Sequence, residues 1–377
     1  MKKIRCLIIL GGGNSQLPFI TAAFNQDITT IVIDRDPAAT GFKFAVEKIV
    51  LSTYDSEAVV SRLKILAEKY SYVGLVARVS GPALFTASAI SRSFDIAGVD
   101  DSLVEIATQK SKLRAFCVEN NLFVPKGMKT DSAKSFAQNI NYPIIIKPDY
   151  PIIGKKDIRV MSDSSQYEDA VIKACHASKN GYAEIQEYIT GRDVSILFKI
   201  SQSVVTPLFS WDELVGVEKN GSISGIGVQA PSSIKGTGLE SKIILFIERF
   251  AQNLSNQIDS FLILSLRITD KGDIYVIELH ADLGGDLIGD ILLPKVYENL
   301  NYFDLIVNDR YNKTFDIKVE KVKPAIMLYS SKLDNINSKF LDKRNGVSLI
   351  QEKSQMESLK LASGLFSKNR FKFSPFN

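Results

Sequence analysis

The stretch from residue 261 to 290 constrains the fold of this chain most. Its sequence, FLILSLRITDKGDIYVIELHADLGGDLIGD, predicts two strands, at residues 262–269 and 274–279. Gly272 lies in the turn between them and supplies the positive φ angle that a tight hairpin requires. The second strand carries Glu278 towards a glycine-rich loop, and burying a carboxylate there is costly unless a cation or a donor meets it. A solvent-exposed strand end is one interpretation of Glu278, and contact with a metal-bound nucleotide is the other.

The first hundred residues alternate between apolar strands and helices. Strands are predicted at residues 6–10, 30–34 and 73–79, and helices at residues 16–25, 56–69 and 82–94. This alternation is typical of a doubly wound parallel sheet. Gly11, Gly12 and Gly13 follow the first strand and Asp34 ends the second, as in a dinucleotide-binding fingerprint. Gln16 stands where the third glycine of that fingerprint belongs, so a dinucleotide-dependent oxidoreductase is a distant alternative.

Two later segments combine an apolar strand with polar residues at its end. Residues 142–148, YPIIIKP, predict a strand ending at Lys147, and residues 184–193, EIQEYITGRD, predict a strand that runs into a turn. A helix is predicted to open at residues 111–114, SKLR. Further strands are predicted at 158–161, 182–189, 194–200 and 223–229, with helices at 166–177 and 239–257. Together these elements favour an α+β unit of two antiparallel sheets.

The order of these segments resembles the ATP-grasp superfamily, in its carboxylate-amine ligase branch with amino-acid ligases and biotin-carboxylase-like proteins. The resemblance implies four parts: a Rossmann-like pre-ATP-grasp domain at 1–110, a lid and nucleotide-binding subdomain at 111–200, a catalytic subdomain at 201–319 and a small C-terminal segment at 320–377. The expected fold is therefore a doubly wound parallel sheet, then an ATP-grasp domain of two antiparallel sheets, then a small cap.

The same resemblance implies an ATP site. The residues expected to bind the nucleotide are Lys112 and Lys147 at the phosphates, Gln186, Glu187 and Ile189 at the adenine, Asp193 at the ribose, and Gly154 in the loop over the phosphates. Lysines act as point charges on phosphate, and a carboxylate accepts two hydroxyl donors. Gly154 is the one glycine of the 149–157 loop, where Lys155 and Lys156 either replace backbone donors or form a solvated turn.

The catalytic end departs from the family pattern. Glu278 matches the second metal-binding acid, whereas Ser265 stands in place of the first, His280 in place of an Asn and Asp282 in place of an Arg. Magnesium prefers oxygen ligands, and a serine hydroxyl is a weak substitute for a carboxylate. We therefore expect Glu278 and Ser265 at the metal, with Glu278, His280 and Asp282 in the catalytic pocket. Asp286 either caps a helix or contributes to the same pocket.

Two functions follow from the resemblance. The first is an ATP-dependent carboxylate-amine ligase that works through an acyl phosphate, with ATP and Mg²⁺ and with a small carboxylate and amine as substrates. The second is a degenerate ATP-grasp pseudoenzyme that acts as a nucleotide-binding or partner subunit. Loss of a metal acid and of the arginine favours the second, and the fold favours the first. A homodimer or a complex with an active ligase is the expected assembly.

Composition restricts the remaining classes. The 377 residues include 46 basic and 42 acidic side chains, and their even spread predicts no nucleic-acid partner. Cys6, Cys117 and Cys175 are isolated thiols without metal-ligand spacing. The apolar run after the first lysines is too short for a signal peptide, and no transmembrane stretch is evident. We expect a cytoplasmic protein that does not contact a membrane.

Overall fold

A computed structural model describes residues 2–132, 141–152, 154, 156–218, 220–285, 287–313, 321–329 and 347–351. The described residues form one parallel sheet and two antiparallel sheets, so the predicted fold class is confirmed. Within the described ranges, no helix is long and apolar enough to cross a membrane.

The N-terminal part is the predicted doubly wound unit. Its elements are β1 (Ile4–Leu10), α1 (Leu17–Phe24), β2 (Thr30–Asp34), β3 (Glu47–Val50), α2 (Ser56–Leu66), β4 (Tyr70–Val76) and α3 (Ala83–Phe94). The sheet order is β3-β2-β1-β4, and every pair is parallel. Residues Cys6 to Leu10 of β1 are fully buried because helices cover both faces of the sheet. The carboxyl ends of β1, β2 and β4 therefore open towards one edge.

The small antiparallel sheet follows two helices. These elements are α4 (Asp101–Thr108), α5 (Lys110–Glu119), β5 (Gly127–Thr130), β6 (Ile144–Pro148), β7 (Arg159–Met161), α6 (Tyr167–His176) and β8 (Ala183–Glu187). The strand order is β5-β8-β6-β7. Ile146 and Ile185 are buried on this sheet beside Val171 of α6. β6 and β8 are antiparallel, so Lys147 near the end of β6 lies opposite Glu184 near the start of β8.

The large antiparallel sheet contains the predicted hairpin. Its elements, with the helices that follow in the chain, are β9 (Arg192–Ser201), β10 (Val204–Val217), β11 (Ile223–Ala230), α7 (Gly238–Ala251), β12 (Asp259–Ile268), β13 (Ile274–His280), α8 (Leu293–Val296), α9 (Tyr302–Arg310), β14 (Ala325–Tyr329) and β15 (Val347–Gln351). The strand order is β13-β12-β9-β10-β11-β14-β15. The predicted boundary at residue 200 thus falls within β9. The described strands of the predicted C-terminal segment extend this sheet beside β11.

Strand β10 has 14 residues and was not predicted. Its sequence, VVTPLFSWDELVGV, contains Pro207 and the acidic pair Asp212 and Glu213, which are uncommon in a central strand. The register with β9 shifts between Pro207 and Phe209, so a bulge accommodates the proline. Alternation then places Trp211 and Glu213 on one face of the sheet and Asp212 on the other.

Candidate active site

A cleft lies between the small and large antiparallel sheets. Its apolar lining consists of Pro125, Ile145, Ile158, Tyr188, Ile189, Val215, Ile223, Leu266 and Ile277, and its polar lining of Lys110, Lys147, Gln186, Glu187, Asp193, Glu213, Ser265, Arg267 and Glu278. Seven residues expected at an ATP site are in this set: Lys147, Gln186, Glu187, Ile189, Asp193, Ser265 and Glu278. Such a lining suits a ligand that has a flat apolar part and a charged part.

Strand alternation brings the polar side chains to the cleft face of the large sheet. Ser265 lies opposite Ser195, and Arg267 lies opposite Asp193, in the pairing of β12 with β9. Val194 and Leu266, which lie between them, are apolar and belong to the hydrophobic core that also includes Ile243 and Ile247 of α7. Because side chains alternate across a strand, one register places all four polar groups on the same face.

Lys147 is the penultimate residue of β6 and is almost fully buried, with 5% of its surface exposed. Its ammonium donates a hydrogen bond to Oε1 of Gln186 at 2.9 Å. Burial, followed by the charges of Lys110 and Arg267, lowers the pKa of Lys147 to about 8. Lys110 and Arg267 are therefore close enough to Lys147 to disfavour its charge, in a lining where three cations lie among four carboxylates.

Lys110 faces Glu278 across the cleft, with Nζ 3.1 Å from Oε1. Lys110 begins α5, and the backbone N–H groups of Lys110 and Ser111 donate to the carbonyl and the carboxylate of Asp149, at 3.0 and 2.7 Å. Burial alone would raise the pKa of Asp149, but hydrogen bonds from Ser111 and Asn180 lower it. Asp149 follows β6 directly, so it ties the start of α5 to the strand that ends near Lys147.

The structure places Lys110, and not Lys112, in the cleft. The Lys112 ammonium lies 2.5 Å from Glu105 Oε2, and its side chain is 43% exposed. Residues two apart on a helix point in nearly opposite directions, so only one of the two lysines can face the cleft. The prediction of Lys112 assumed a helix that opens at residue 111. The helix begins at Lys110 because its first turn is held by Asp149.

The end of β8 and the connector after it line the other side. The Gln186 side chain accepts from Lys147 and donates to Glu184 Oε1 at 3.3 Å, and the Glu187 carboxylate accepts from the Lys126 N–H at 3.0 Å. Beneath them, burial raises the pKa of Glu184, which is paired with Arg114. Arg114 was not predicted as a supporting residue.

Asp193 is held by Arg267, a residue that was not predicted. The guanidinium donates to both carboxylate oxygens, from Nε at 2.6 Å and from Nη2 at 2.7 Å, and a third hydrogen bond reaches the Ile189 carbonyl at 3.0 Å. Arg267 lies two residues after Ser265 on β12 and therefore on the same face of the strand. This spacing was the signal in the sequence. That signal is weak, because an arginine within an apolar strand is equally consistent with an exposed strand edge.

Glu213 is a further residue of the cleft that was not predicted. Ser195 Oγ donates to Glu213 Oε1 at 2.6 Å, and the hydroxyls of Ser195 and Ser265 are 2.8 Å apart. Glu213 also lies 3.5 Å from Ser265 Oγ. A carboxylate from β10 therefore lies beside the place where the family pattern has its first metal acid. It was missed because β10 itself was missed.

The oxygen-bearing side chains of the cleft can supply part of the coordination shell of a magnesium ion. Among the described residues, no three His, Cys, Asp or Glu side chains meet as a metal site. Glu278 and Glu213 both line the cleft, and Ser265 is the hydroxyl near them. Magnesium in phosphate-transfer sites commonly takes one or two carboxylates and completes its shell with phosphate oxygens and water. The cleft fits that arrangement, and it does not form a cage of protein ligands alone.

Besides Lys112, three of the predicted residues are not part of the cleft lining. His280 is at its rim, with Nε2 3.7 Å from Glu278 Oε2. Gly154 is exposed and has a φ angle of +27°. Asp282 lines a second cleft. Residues 155 and 286, also considered in the sequence, lie outside the described ranges.

The second cleft separates the N-terminal sheet from the glycine-rich loop after β13. Its lining includes Gly11, Asn14, Ser15, Gln16, Asp34, Thr53, Tyr54, Arg78, Asp282, Gly284, Gly285 and Asp290. Arg78 joins the two walls: it donates to both Asp290 oxygens, at 3.1 and 2.6 Å, to the Gly284 carbonyl at 2.9 Å and to the Ser15 carbonyl at 3.1 Å. Asp282 therefore lines this second cleft and not the first.

The geometry opposes a dinucleotide at the first glycine turn. The Asp34 carboxylate accepts the backbone N–H groups of Gly12 at 2.7 Å and Asp36 at 2.9 Å, so it is engaged by its own loop. The Gln16 side chain lies against Gly11 and donates to the Arg78 carbonyl at 2.5 Å. These contacts occupy the groups that a dinucleotide would use.

Comparison with solved structures identifies the fold. The L-amino acid ligase from Bacillus licheniformis superposes with a TM-score of 0.74, at 16% identity, over 100% of both chains. The chain has the ATP-grasp fold. The ADP complex of N5-carboxyaminoimidazole synthetase from Staphylococcus aureus gives a TM-score of 0.71 at 13% identity, over 97% of this chain and 98% of that one. The predicted resemblance is thereby confirmed.

Sequence comparison agrees with the fold. The carbamoyl phosphate synthase large chain of Thermoanaerobacter sp. (strain X514) is 21% identical over 262 residues, which are 67% of this chain and 23% of that protein. This chain thus spans about a quarter of the length of that relative. No protein-family model matches the sequence.

Proposed function

We propose that this ATP-grasp protein is an ATP-dependent carboxylate-amine ligase. The observation that carries the proposal is the meeting of Lys110, Lys147 and Glu278 in a cleft with an apolar wall. Two cations suit the phosphates of ATP, and the carboxylate suits the magnesium that accompanies them. The ligases with the same fold act on small molecules, which supports the same class of substrates here.

The proposed reaction has two steps. A carboxylate oxygen of the first substrate attacks the γ-phosphorus of ATP, which forms an acyl phosphate and releases ADP. The nitrogen of an amine then attacks the acyl carbon, a C–N bond forms, and phosphate leaves. Lys110 and Lys147 stabilise negative charge on the phosphates in the first step. Glu278, with Ser265 and Glu213 nearby, would hold a magnesium ion, which would supply further neutralisation of phosphate charge.

The substrates are proposed to enter through the second cleft. Its walls come from two parts of the chain, and they meet at the Arg78–Asp290 pair. Asp282 and the Gly284–Gly285 loop line this space and follow β13, the strand that carries Glu278. A carboxylate in the second cleft would therefore approach the phosphate end of the first.

One observation favours the pseudoenzyme as a second candidate. The family acid and arginine are absent at Ser265 and Asp282, and Ser265 is hydrogen-bonded to Ser195. A protein that keeps Lys110 and Lys147 without those groups would bind ATP and not turn it over.

A turnover assay separates the two candidates. ADP release is measured with ATP, Mg²⁺ and a panel of carboxylate and amine pairs, for the wild type and for Glu278→Gln. The ligase predicts steady ADP release with at least one pair, and loss of that release in the variant. ATP binding by the wild type with no turnover on any pair would instead establish the pseudoenzyme.

A further inference from the structure

Arg267 occupies an unusual place in the cleft. Its side chain is 10% exposed, and it lies on β12 between the phosphate-side residues and the connector of residues 188–191. That connector joins the small sheet to the large one, because β8 ends at Glu187 and β9 begins at Arg192. The guanidinium contacts its own sheet at Asp193 and the connector at Tyr188 and Ile189.

The guanidinium fixes three groups at once. It forms the bidentate pair with Asp193, donates to the Ile189 carbonyl, and lies 5.2 Å from the centre of the Tyr188 ring. Burial alone would lower the pKa of Arg267, but the charge and hydrogen bonds of Asp193 raise it. A bidentate guanidinium holds a carboxylate in one plane, which a single point charge cannot do.

Asp193 retains the capacity to bind a ligand in this arrangement. An ionised carboxylate has about four acceptor sites, and Arg267 uses one on each oxygen. Asp193 lines the cleft, so the remaining acceptor sites suit two neighbouring hydroxyl groups. A ribose presents such a pair of hydroxyls.

We propose that Arg267 is a positioning residue of the nucleotide site: it holds Asp193 and the 188–191 connector in the arrangement that receives the ribose. The inference rests on the proposed function, since it requires ATP in this cleft. It adds a determinant of nucleotide selectivity, namely preference for the ribose form over the 2′-deoxy form.

The test is a calorimetric comparison of ATP with 2′-deoxy-ATP. We expect the wild type to prefer ATP by about tenfold, the effect of one hydrogen bond to a charged group. Asp193→Asn and Arg267→Met should both reduce that ratio towards one, and Arg267→Lys should give an intermediate ratio. Arg267→Lys also replaces Arg267→Met if the latter does not fold, as judged by thermal denaturation.

A purely structural salt bridge gives a different pattern. It predicts that the Arg267 variants lose thermal stability and bind both nucleotides more weakly, with the wild-type ratio unchanged. That result, or a wild-type ratio of one, would overturn the inference while the proposed ATP site stands. Failure of the wild type to bind ATP would refute the proposed function and this inference together.

Discussion

Lys147 has a charge that the folded protein alone does not favour. Its ammonium is buried, two other cations act on it, and its pKa falls to about 8. A buried group with such a shift is a common property of functional sites, because a ligand supplies the missing charge. In the proposed function, a bound polyphosphate would offset the free-energy cost of burying this charge.

The first prediction concerns stability and pH. The folded pKa of Lys147 is about 8 and the ordinary value is 10.5, so the folded state releases the proton first. The free-energy cost of burying the charged Lys147 ammonium is fully present below pH 8 and disappears as pH rises towards 10.5. The wild type should therefore gain about 2–3 kcal/mol of unfolding free energy between pH 7 and pH 10 that Lys147→Met does not gain. Urea denaturation at pH 7, 8.5 and 10 measures this difference, and a constant difference would contradict the assignment.

Some residues of the cleft could be predicted from the sequence, and others could not. Lys147 and Glu278 could be predicted because each lies near the end of an apolar strand, where a buried charge requires a partner, and Asp193 was predicted from the family resemblance. Arg267 and Glu213 could not, because their role depends on which strands are neighbours in the sheet. Sequence patterns specify the face of a strand but not its partner.

At the scale of elements, the connector between β8 and β9 joins the two sheets that form the walls of the cleft. Gly191 lies against the backbone of β12, and a Cβ atom there would overlap the carbonyl oxygen of Ile268. The sequence predicted this turn, and the hairpin of β12 and β13, from glycine positions. It did not predict β10, since Pro207 is a strand-breaking signal that a bulge overrides.

The second prediction tests that close approach. Gly191→Ala should lower the unfolding free energy by about 1–3 kcal/mol, because the added methyl group forces the connector away from β12. Gly238→Ala is the matched control: Gly238 has open space around its Cβ position and begins α7. Equal melting temperatures for the two variants would show that the connector does not pack against β12 as described.

At the scale of the whole molecule, Arg78 connects the N-terminal sheet to the glycine-rich loop after β13. Its side chain is 9% exposed and donates hydrogen bonds to Gly284 and Asp290 after β13 and to Ser15 after β1. Arg78 therefore links the two walls of the second cleft. The doubly wound sheet was predicted from alternation, whereas a contact between Arg78 and Asp290, 212 residues apart, has no local signal.

The third prediction concerns this clamp. Arg78→Met leaves Asp290 without its cation and should lower the unfolding free energy by about 3 kcal/mol. Arg92→Met is the control, because the Arg92–Asp101 pair is exposed and should contribute less than about 1 kcal/mol. Chemical denaturation of both variants gives the comparison, and similar values would mean that Arg78 does not act as a clamp.

The most direct test of the account is calorimetric titration of the wild type, Lys147→Met and Lys112→Met with ATP and Mg²⁺. The account predicts that the wild type binds, that Lys147→Met binds at least about tenfold more weakly, and that Lys112→Met binds like the wild type because Lys112 faces Glu105 outside the cleft. Absence of binding by the wild type, or equal affinity of the wild type and a folded Lys147→Met, would contradict an ATP site between the two antiparallel sheets.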